Sequence, residues 1–243
     1  MINVVVPMAG AGSRFSEAGY AKPKPFIDVA GQTMIARVLG GLQVPGARYT
    51  LIIQEAFRQS AASDLADLAG AFPVSFLAVE KLTQGAAATA LAAHRIIDGD
   101  SPVLFADSDN LFAPGVIASF VADASARGLD GSLLTFKAGD AKFSFAHLDA
   151  EGFVRRTTEK TDPSDHAIAG AYFFARGSDF VNAATDLLIY GDRTGGEFYM
   201  SSVFNRAIAG GAKVGIRDIA DSDWCCLGTP ELLDMYLQKG ETL

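Results

Sequence analysis

VVVPMAGAGSRFSEAGYAKPKPFIDVAGQTMI, residues 4–35, is the stretch that decides how this chain is read. The β-branched run Val4-Val5-Val6 has the make-up of a buried strand, and it leads into the small-residue loop Gly10-Ala11-Gly12-Ser13, closed by Arg14. A strand ending in such a loop lets backbone N–H groups approach an anion, because glycine carries no side chain to hold it off. Arg14 adds a fork-shaped charge matched to phosphate oxygens. Lys24, within Lys22-Pro23-Lys24-Pro25, adds a point charge on a segment stiffened by its prolines. Met8, Ala9, Gly10, Ala11, Gly12 and Ser13 are therefore a candidate triphosphate cradle, with Arg14 and Lys24 as its cations. A tight turn without a ligand is the plainer alternative. Two other phosphate loops are excluded: the dinucleotide fingerprint G-x-G-x-x-G has Phe15 at its third glycine, and the Gly-Lys-Ser/Thr of a P-loop is missing.

Composition agrees with a folded enzyme-sized chain. At 243 residues, 49% apolar and 20% charged, it can bury one large core. A net charge of −8 argues against nucleic acid as the main partner, so local cations must hold any acidic substrate against the overall field. Met1-Ile2-Asn3 lacks the charged start of a secretion signal, and no apolar run reaches the ~18 residues that span a bilayer, so no membrane partner is expected. Cys225 and Cys226 are adjacent and unsuited to an ordinary disulfide, which fits a reducing cytoplasm. Oligomeric state carries no sequence signal, and a homo-oligomer stays open.

Along the chain, apolar strand-like runs at about 2–6, 48–53, 74–79, 102–106 and 131–136 alternate with helical patterns at about 32–43, 55–70, 84–97 and 115–127. This rhythm predicts an α/β fold with a mostly parallel sheet and helices on both faces. Beyond Asp140, Phe143–Leu148 and Phe153–Thr158 flank a turn-like tetrapeptide and predict a hairpin. A strand at Ala167–Phe174 and helices near 177–189, 197–209 and 230–238 complete the pattern. The alanine-rich stretch at 84–97 reads as either close packing or simple helix propensity.

The second chemical feature is Asp107-Ser108-Asp109-Asn110, at the carboxyl end of the fourth strand-like run, where open α/β sheets place their ligands. Two aspartates one residue apart can present a carboxylate to Mg²⁺, which takes one or two carboxylates and completes its shell with phosphate oxygens and water. A solvated Asp-rich turn is the alternative. Glu159-Lys160 and Gly196-Glu197 are candidates of a weaker kind, since an ion pair and a helix start explain them equally well.

These segments, taken in order, resemble the nucleotidyltransferases that activate sugar 1-phosphates and related phosphoesters. That family has a signature near L-A-G-G-x-G-T-R-L, then P-K-P-L and G-x-P-[ML]-I. Here these read Pro7–Phe15, Pro23-Lys24-Pro25-Phe26 and Gly31-Gln32-Thr33-Met34-Ile35. The resemblance implies a Rossmann-like, mixed but mostly parallel sheet of the nucleotide-diphospho-sugar transferase type. It implies one domain over 1–243, with a nucleotide-binding half over about 1–112 and an acceptor-binding half over about 113–243. Asp109 matches the main metal aspartate, with Asp107 as second choice. Glu159 and Lys160 match an E-K-P element, the glutamate holding acceptor hydroxyls and the lysine its phosphate. Gly170 lies in the matching A-G-x-Y-x-F strand, and Glu197 in a G-E-Y-Y element near the acceptor. The expected partners are a nucleoside triphosphate and a phosphorylated small molecule, with Mg²⁺ as cofactor, in the making of cell-surface polysaccharide or lipid precursors.

Two departures from the family pattern matter. Uridylyl- and thymidylyl-transferring relatives carry glutamine five residues before the glycine of Q-x-x-x-x-G-x-A; here the glycine is Gly85, followed by Ala86, and the earlier position is Glu80. A carboxylate only accepts hydrogen bonds, which suits the exocyclic amine of cytosine or the donors of guanine, so CTP is expected first and GTP next. In Trp224-Cys225-Cys226-Leu227-Gly228-Thr229-Pro230, Cys226 stands where the family has its second metal aspartate, and sulfur is a poor ligand for Mg²⁺. Asp221 and Asp223 lie just upstream as substitutes. A glycosyltransferase of related fold, and a nucleotide-binding module that has lost catalysis, are the alternative readings.

Overall fold

The parallel half of the fold is built by short, strongly apolar strands whose alternate residues face opposite layers. In the computed structural model, which describes residues 1–191 and 193–240, the strands are β1 (Ile2–Pro7), β2 (Asp28–Val29), β3 (Gln32–Thr33), β4 (Ala47–Gln54), β5 (Val74–Val79) and β6 (Val103–Ala106). They continue as β7 (Asn110–Phe112), β8 (Gly131–Phe136), β9 (Ser144–Leu148), β10 (Val154–Glu159), β11 (Ala167–Phe174), β12 (Val214–Ile219) and β13 (Trp224–Cys226). Nine of them form one mixed sheet. β1 lies between β4 and β6 and is parallel to both, and β5 extends the parallel set beyond β4. β11 runs antiparallel to β6 and β8, carries the β9–β10 hairpin, and leaves β12 to join β8 in parallel.

This order sets the site. The chain leaves β1 toward β4 on one side and returns to β6 on the other, so the loops that follow β1 and β6 flank one crevice at the carboxyl edge. Val5 pairs in register with Phe105, which brings the loop after Pro7 beside the turn after Ala106.

Two buried layers cover the sheet. Val4, Val6, Leu104 and Phe173 meet the helices Met34–Gly41, Val116–Ala126 and Pro230–Lys239 on one face. Val5, Phe105, Phe174 and Val214 meet Ala86–Leu91, Gly177–Tyr190 and Met200–Ala209 on the other. The α/β expectation holds, helices on both faces included. The alanine-rich stretch is a packing device: Ala87, Ala90 and Ala93 have no exposed surface. It breaks after Leu91 into two short helices, Ala86–Leu91 and His94–Ile97, where one was expected. The expected 55–70 helix likewise divides at Ala61, whose φ and ψ of −136° and 32° leave the helical region. β12 and the small antiparallel pair β7–β13 have no counterpart in the expected strands.

Candidate active site

The loop after β1 starts on the sheet, where Met8 donates its N–H to the Ile52 carbonyl at 2.9 Å. Met8 and Ala9 are buried, whereas Gly10, Ala11, Ser13 and Arg14 lie at the surface around the short helix Ser13–Glu17. Gln54 pins the loop by donating its side-chain amide to the Gly10 carbonyl at 2.9 Å. Gly12 has φ +62°, and a Cβ there would stand 3.1 Å from the Cβ of Lys24. Glycine is thus required both by the turn and by the close passage of the lysine segment. Pro23 and Pro25 bracket Lys24 at the start of the 3₁₀ turn Lys24–Phe26, and Phe26 anchors the turn edge-on against Phe57. From this fixed base the Lys24 ammonium crosses the crevice and pairs with Asp109.

The acidic wall is held by backbone. Asp107 donates its N–H to the Gly170 carbonyl at 2.9 Å, and Leu227 donates to the Asp109 carbonyl at 2.7 Å. Gly170 has φ +79°, and a Cβ there would fall 2.2 Å from Asn110 Nδ2 and 2.5 Å from Asp107 Oδ2. Removal from water raises the Asp107 pKa well above the usual carboxylate range, and the neighbouring Asp109 charge adds to this while Lys24 opposes it. The Tyr172 phenol is pushed up in the same way, by burial first and then by the charges of Asp107, Glu159 and Asp109. Asn110 Oδ1 is buried here with no hydrogen-bond partner among the described residues.

The Glu159-Lys160 dipeptide lies at the end of β10. Glu159 is 7% exposed, and its Oε2 accepts from both Ser144 and Ser201 Oγ, the latter at 3.0 Å. Burial raises its pKa despite these two hydroxyls and Lys160. Lys160 follows at φ +54° and donates to the Tyr199 hydroxyl at 3.0 Å. Glu197 is exposed, close enough for its charge to reinforce the Glu159 shift. Glu80 is exposed just beyond β5, and Gly85 precedes the helix Ala86–Leu91 with φ +110°.

The structure therefore brings Gly12, Lys24, Asp107, Asp109 and Gly170 around one crevice, and it gathers Glu159, Lys160 and Glu197 beside Tyr199. Arg14 stays exposed at its rim; the Glu231 carboxyl, lowered first by the Thr229 hydroxyl, also feels the Arg14 charge. Sequence reading missed Ser144, Ser201, Tyr199 and Asn110 as parts of the site. Of these Asn110 carried a signal through its place after Asp109, and Tyr199 through its place at the end of Gly196-Glu197-Phe198-Tyr199.

Asp109 and Asp107 fit a Mg²⁺ ion that takes most of its ligands from phosphates and water. Among the described residues no group of three or more His, Cys, Asp or Glu could hold an ion alone. Cys226 pairs with Asn110 across β13 and β7, and its sulfur accepts from the Gly228 N–H at 3.4 Å. Burial, with help from Asp109, pushes the thiol up to about 12, so it stays protonated and offers no thiolate. Asp223 does not take its place: it lies three residues back along an extended segment, about 10 Å, and bonds the Ala220 N–H.

A glycine loop and an acidic turn meet at the switch point of a mixed sheet, where open α/β sheets bind their ligands. The sequence model of the family described as nucleotidyl transferase matches residues 4–236, and the chain belongs to that family and is a nucleotidyltransferase. A nucleoside-diphosphate-sugar pyrophosphorylase from Vibrio cholerae RC9 is similar over 97% of this chain and 99% of its own, with 25% identity and a TM-score of 0.82. The inositol-1-phosphate CTP transferase of T. maritima shares the fold at 17% identity, TM-score 0.72, with 99% of this chain and 98% of that one covered. So does a UDP-glucose pyrophosphorylase complexed with UDP-glucose, at 15% identity and TM-score 0.80 over 99% and 98% of the two chains. Among curated proteins no sequence relative is found.

Proposed function

We propose that the chain joins a nucleoside triphosphate, CTP first and GTP next, to a sugar phosphate or small alcohol phosphate and releases pyrophosphate. The observation that carries this reading is the Lys24–Asp109 pair spanning the crevice between the Gly12 loop and the end of β6. The triphosphate lies across Met8–Arg14, with Arg14 over the leaving phosphates. An oxygen of the acceptor phosphate attacks the α-phosphorus in line; that O–P bond forms as the bond from the α-phosphorus to its β-bridging oxygen breaks. The attacking oxygen is already ionised, so no side chain has to remove a proton. Lys24 bridges the α-phosphate and the attacking phosphate, and Lys160 neutralises the acceptor. Mg²⁺, held by Asp109 and Asp107, would screen the charge of the triphosphate. Catalysis is then positioning and charge stabilisation. Glu80 reads the base by accepting from an exocyclic amine. The similar V. cholerae protein handles nucleoside-diphosphate sugars by its description, which favours a sugar phosphate over other acceptors.

The test is pyrophosphate release with Mg²⁺, crossing CTP, GTP, UTP, dTTP and ATP against sugar 1-phosphates and alcohol phosphates. Release with CTP or GTP and one acceptor is expected. Preference for UTP or dTTP would remove the role of Glu80, and sugar transfer without pyrophosphate would favour a glycosyltransferase. Nucleotide binding with no release across the whole panel would favour a module that has lost catalysis.

A further inference from the structure

We infer that Tyr199 is a positioning residue for the acceptor phosphate, aiming the Lys160 ammonium from a segment locked at once to the nucleotide side and to the acceptor side. The inference rests on the reading that Lys160 meets that phosphate. Lysine carries three N–H donors on a flexible stem, so its direction has to be imposed. Tyr199 imposes it in two ways: its hydroxyl accepts from Nζ at 3.0 Å, and Nζ stands 4.9 Å from the ring centroid. Nζ also stands 4.0 Å from Glu159 Oε1, and Lys160 stays 46% exposed, so a donor remains open to a ligand.

Tyr199 is itself fixed through its neighbours. Phe198 donates its N–H to the Gln84 carbonyl at 2.7 Å and accepts from the Ala87 N–H at 3.0 Å. The contact is close because residue 85 is glycine: a Cβ there would lie 2.5 Å and 2.6 Å from the Phe198 oxygen and nitrogen. On the far side Ser201 holds Glu159, and its carbonyl accepts from the Thr157 hydroxyl at 2.7 Å. Asn205 pairs with the Thr157 backbone twice, at 2.7 Å and 3.0 Å. The strand that ends at Glu159, just before Lys160, is thus sewn to the helix Met200–Ala209, which Tyr199 precedes as its cap. Lys160, at φ +54°, turns back toward the tyrosine under that constraint.

The experiment uses inorganic phosphate as the probe. The full chain is acetylated with limiting acetic anhydride at graded phosphate concentrations, and mass spectrometry reads the modification of Lys160, with exposed Lys81 as the internal reference. In the native protein phosphate protects Lys160 and spares Lys81. In Tyr199→Phe, which keeps the ring, the phosphate midpoint rises about 3–10-fold, the net worth of a typical hydrogen bond. Lys160 also labels faster without phosphate, while Lys81 does not change. Tyr199→Ala gives a larger shift. Equal midpoints in native and Tyr199→Phe protein overturn the role of Tyr199 and leave the Lys160 reading standing. No protection of Lys160 in the native protein overturns that reading, and the inference with it. A matched far-UV spectrum and melting curve separate either result from misfolding.

Discussion

Lys24 and Asp109 neutralise each other across the crevice while each stays about one-fifth exposed, 20% and 18% by side chain. A pair of this kind is poised for a ligand, because the ammonium has donors left for phosphate oxygens and the carboxylate has a second oxygen. Lys24→Ala is expected to lower turnover by on the order of 10²–10³-fold, the usual cost of one transition-state charge contact, and Arg14→Ala by a similar amount. Pyrophosphate release in the steady state measures both, and near-native turnover in the two variants would sink the proposed assignment. Lys24→Arg should not restore the rate, since a planar fork does not replace a point charge on a stem fixed by two prolines. Arg14 and Lys24 were legible in the sequence because local spacing builds their surroundings, a strand, a glycine loop and a proline-bracketed lysine within residues 4–35, and Asp109 because it follows a strand-like run. The clamp on Glu159 was not. Its serines lie 15 and 42 residues away in the chain, and no spacing rule links hydroxyls that meet only in the folded state.

At the scale of elements, close approach of backbone decides where the helices sit. Gly177 opens the helix Gly177–Tyr190 directly on the carbonyl of Ile97, and a Cβ there would stand 1.8 Å from that oxygen. Neither partner is a flexible side-chain end, so the helix has to shift. Gly177→Ala is therefore expected to destabilise the fold by ~1–3 kcal/mol, the usual cost of overpacking, and thermal melting checks it. An unchanged melting temperature would mean that the helix slides freely over the Ala87–Ala90–Ala93 face. Long periodic elements were readable, and their ends fell within a few residues of the observed ones. The elements that escaped are those without a period to detect. β7 and β13 are three residues each, and β2 and β3 two each. β12 is six residues but only its first two are buried, so hydrophobicity barely marks it. Yet β13 is what sets Cys226 opposite Asn110, so a pair of three-residue strands determines how the wall beside Asp109 is built.

Across the whole molecule, the charges on the two sides of β11 have opposite effects on stability. At the crevice, Asp107, Asp109 and Glu159 share one sheet edge, and the Glu159 carboxyl is raised by burial in spite of its two serine donors. Away from it, burial alone would raise Asp218, but the Thr135 hydroxyl at 2.6 Å, His166 at 3.0 Å and Lys137 at 3.3 Å outweigh that and lower it. The signs follow from linkage. A carboxylate whose folded pKa is lowered adds stability that is present above its unfolded value, near pH 4, and is lost as pH falls through the lower folded value. One whose folded pKa is raised does the reverse: it weakens the fold increasingly as pH climbs from the unfolded value through the raised one. Melting curves of the native chain, Asp218→Asn and Glu159→Gln from pH 3 to 8 should therefore diverge in opposite directions. Asp218→Asn melts lower than native protein at pH 6–8, and the gap narrows as pH falls from 4 to 3. Glu159→Gln matches native protein near pH 3–4 and melts at the same temperature or higher as pH rises, while acceptor use falls. About 1 kcal/mol moves the melting temperature of a chain of this size by ~2–4 °C, so either divergence is readable. If Glu159→Gln instead melts lower at pH 8 than at pH 4 relative to native protein, Glu159 is a structural anchor. If it follows the predicted course, the end of β10 holds an ionised carboxylate against the preference of the fold, as functional sites commonly do and as the proposed acceptor role requires.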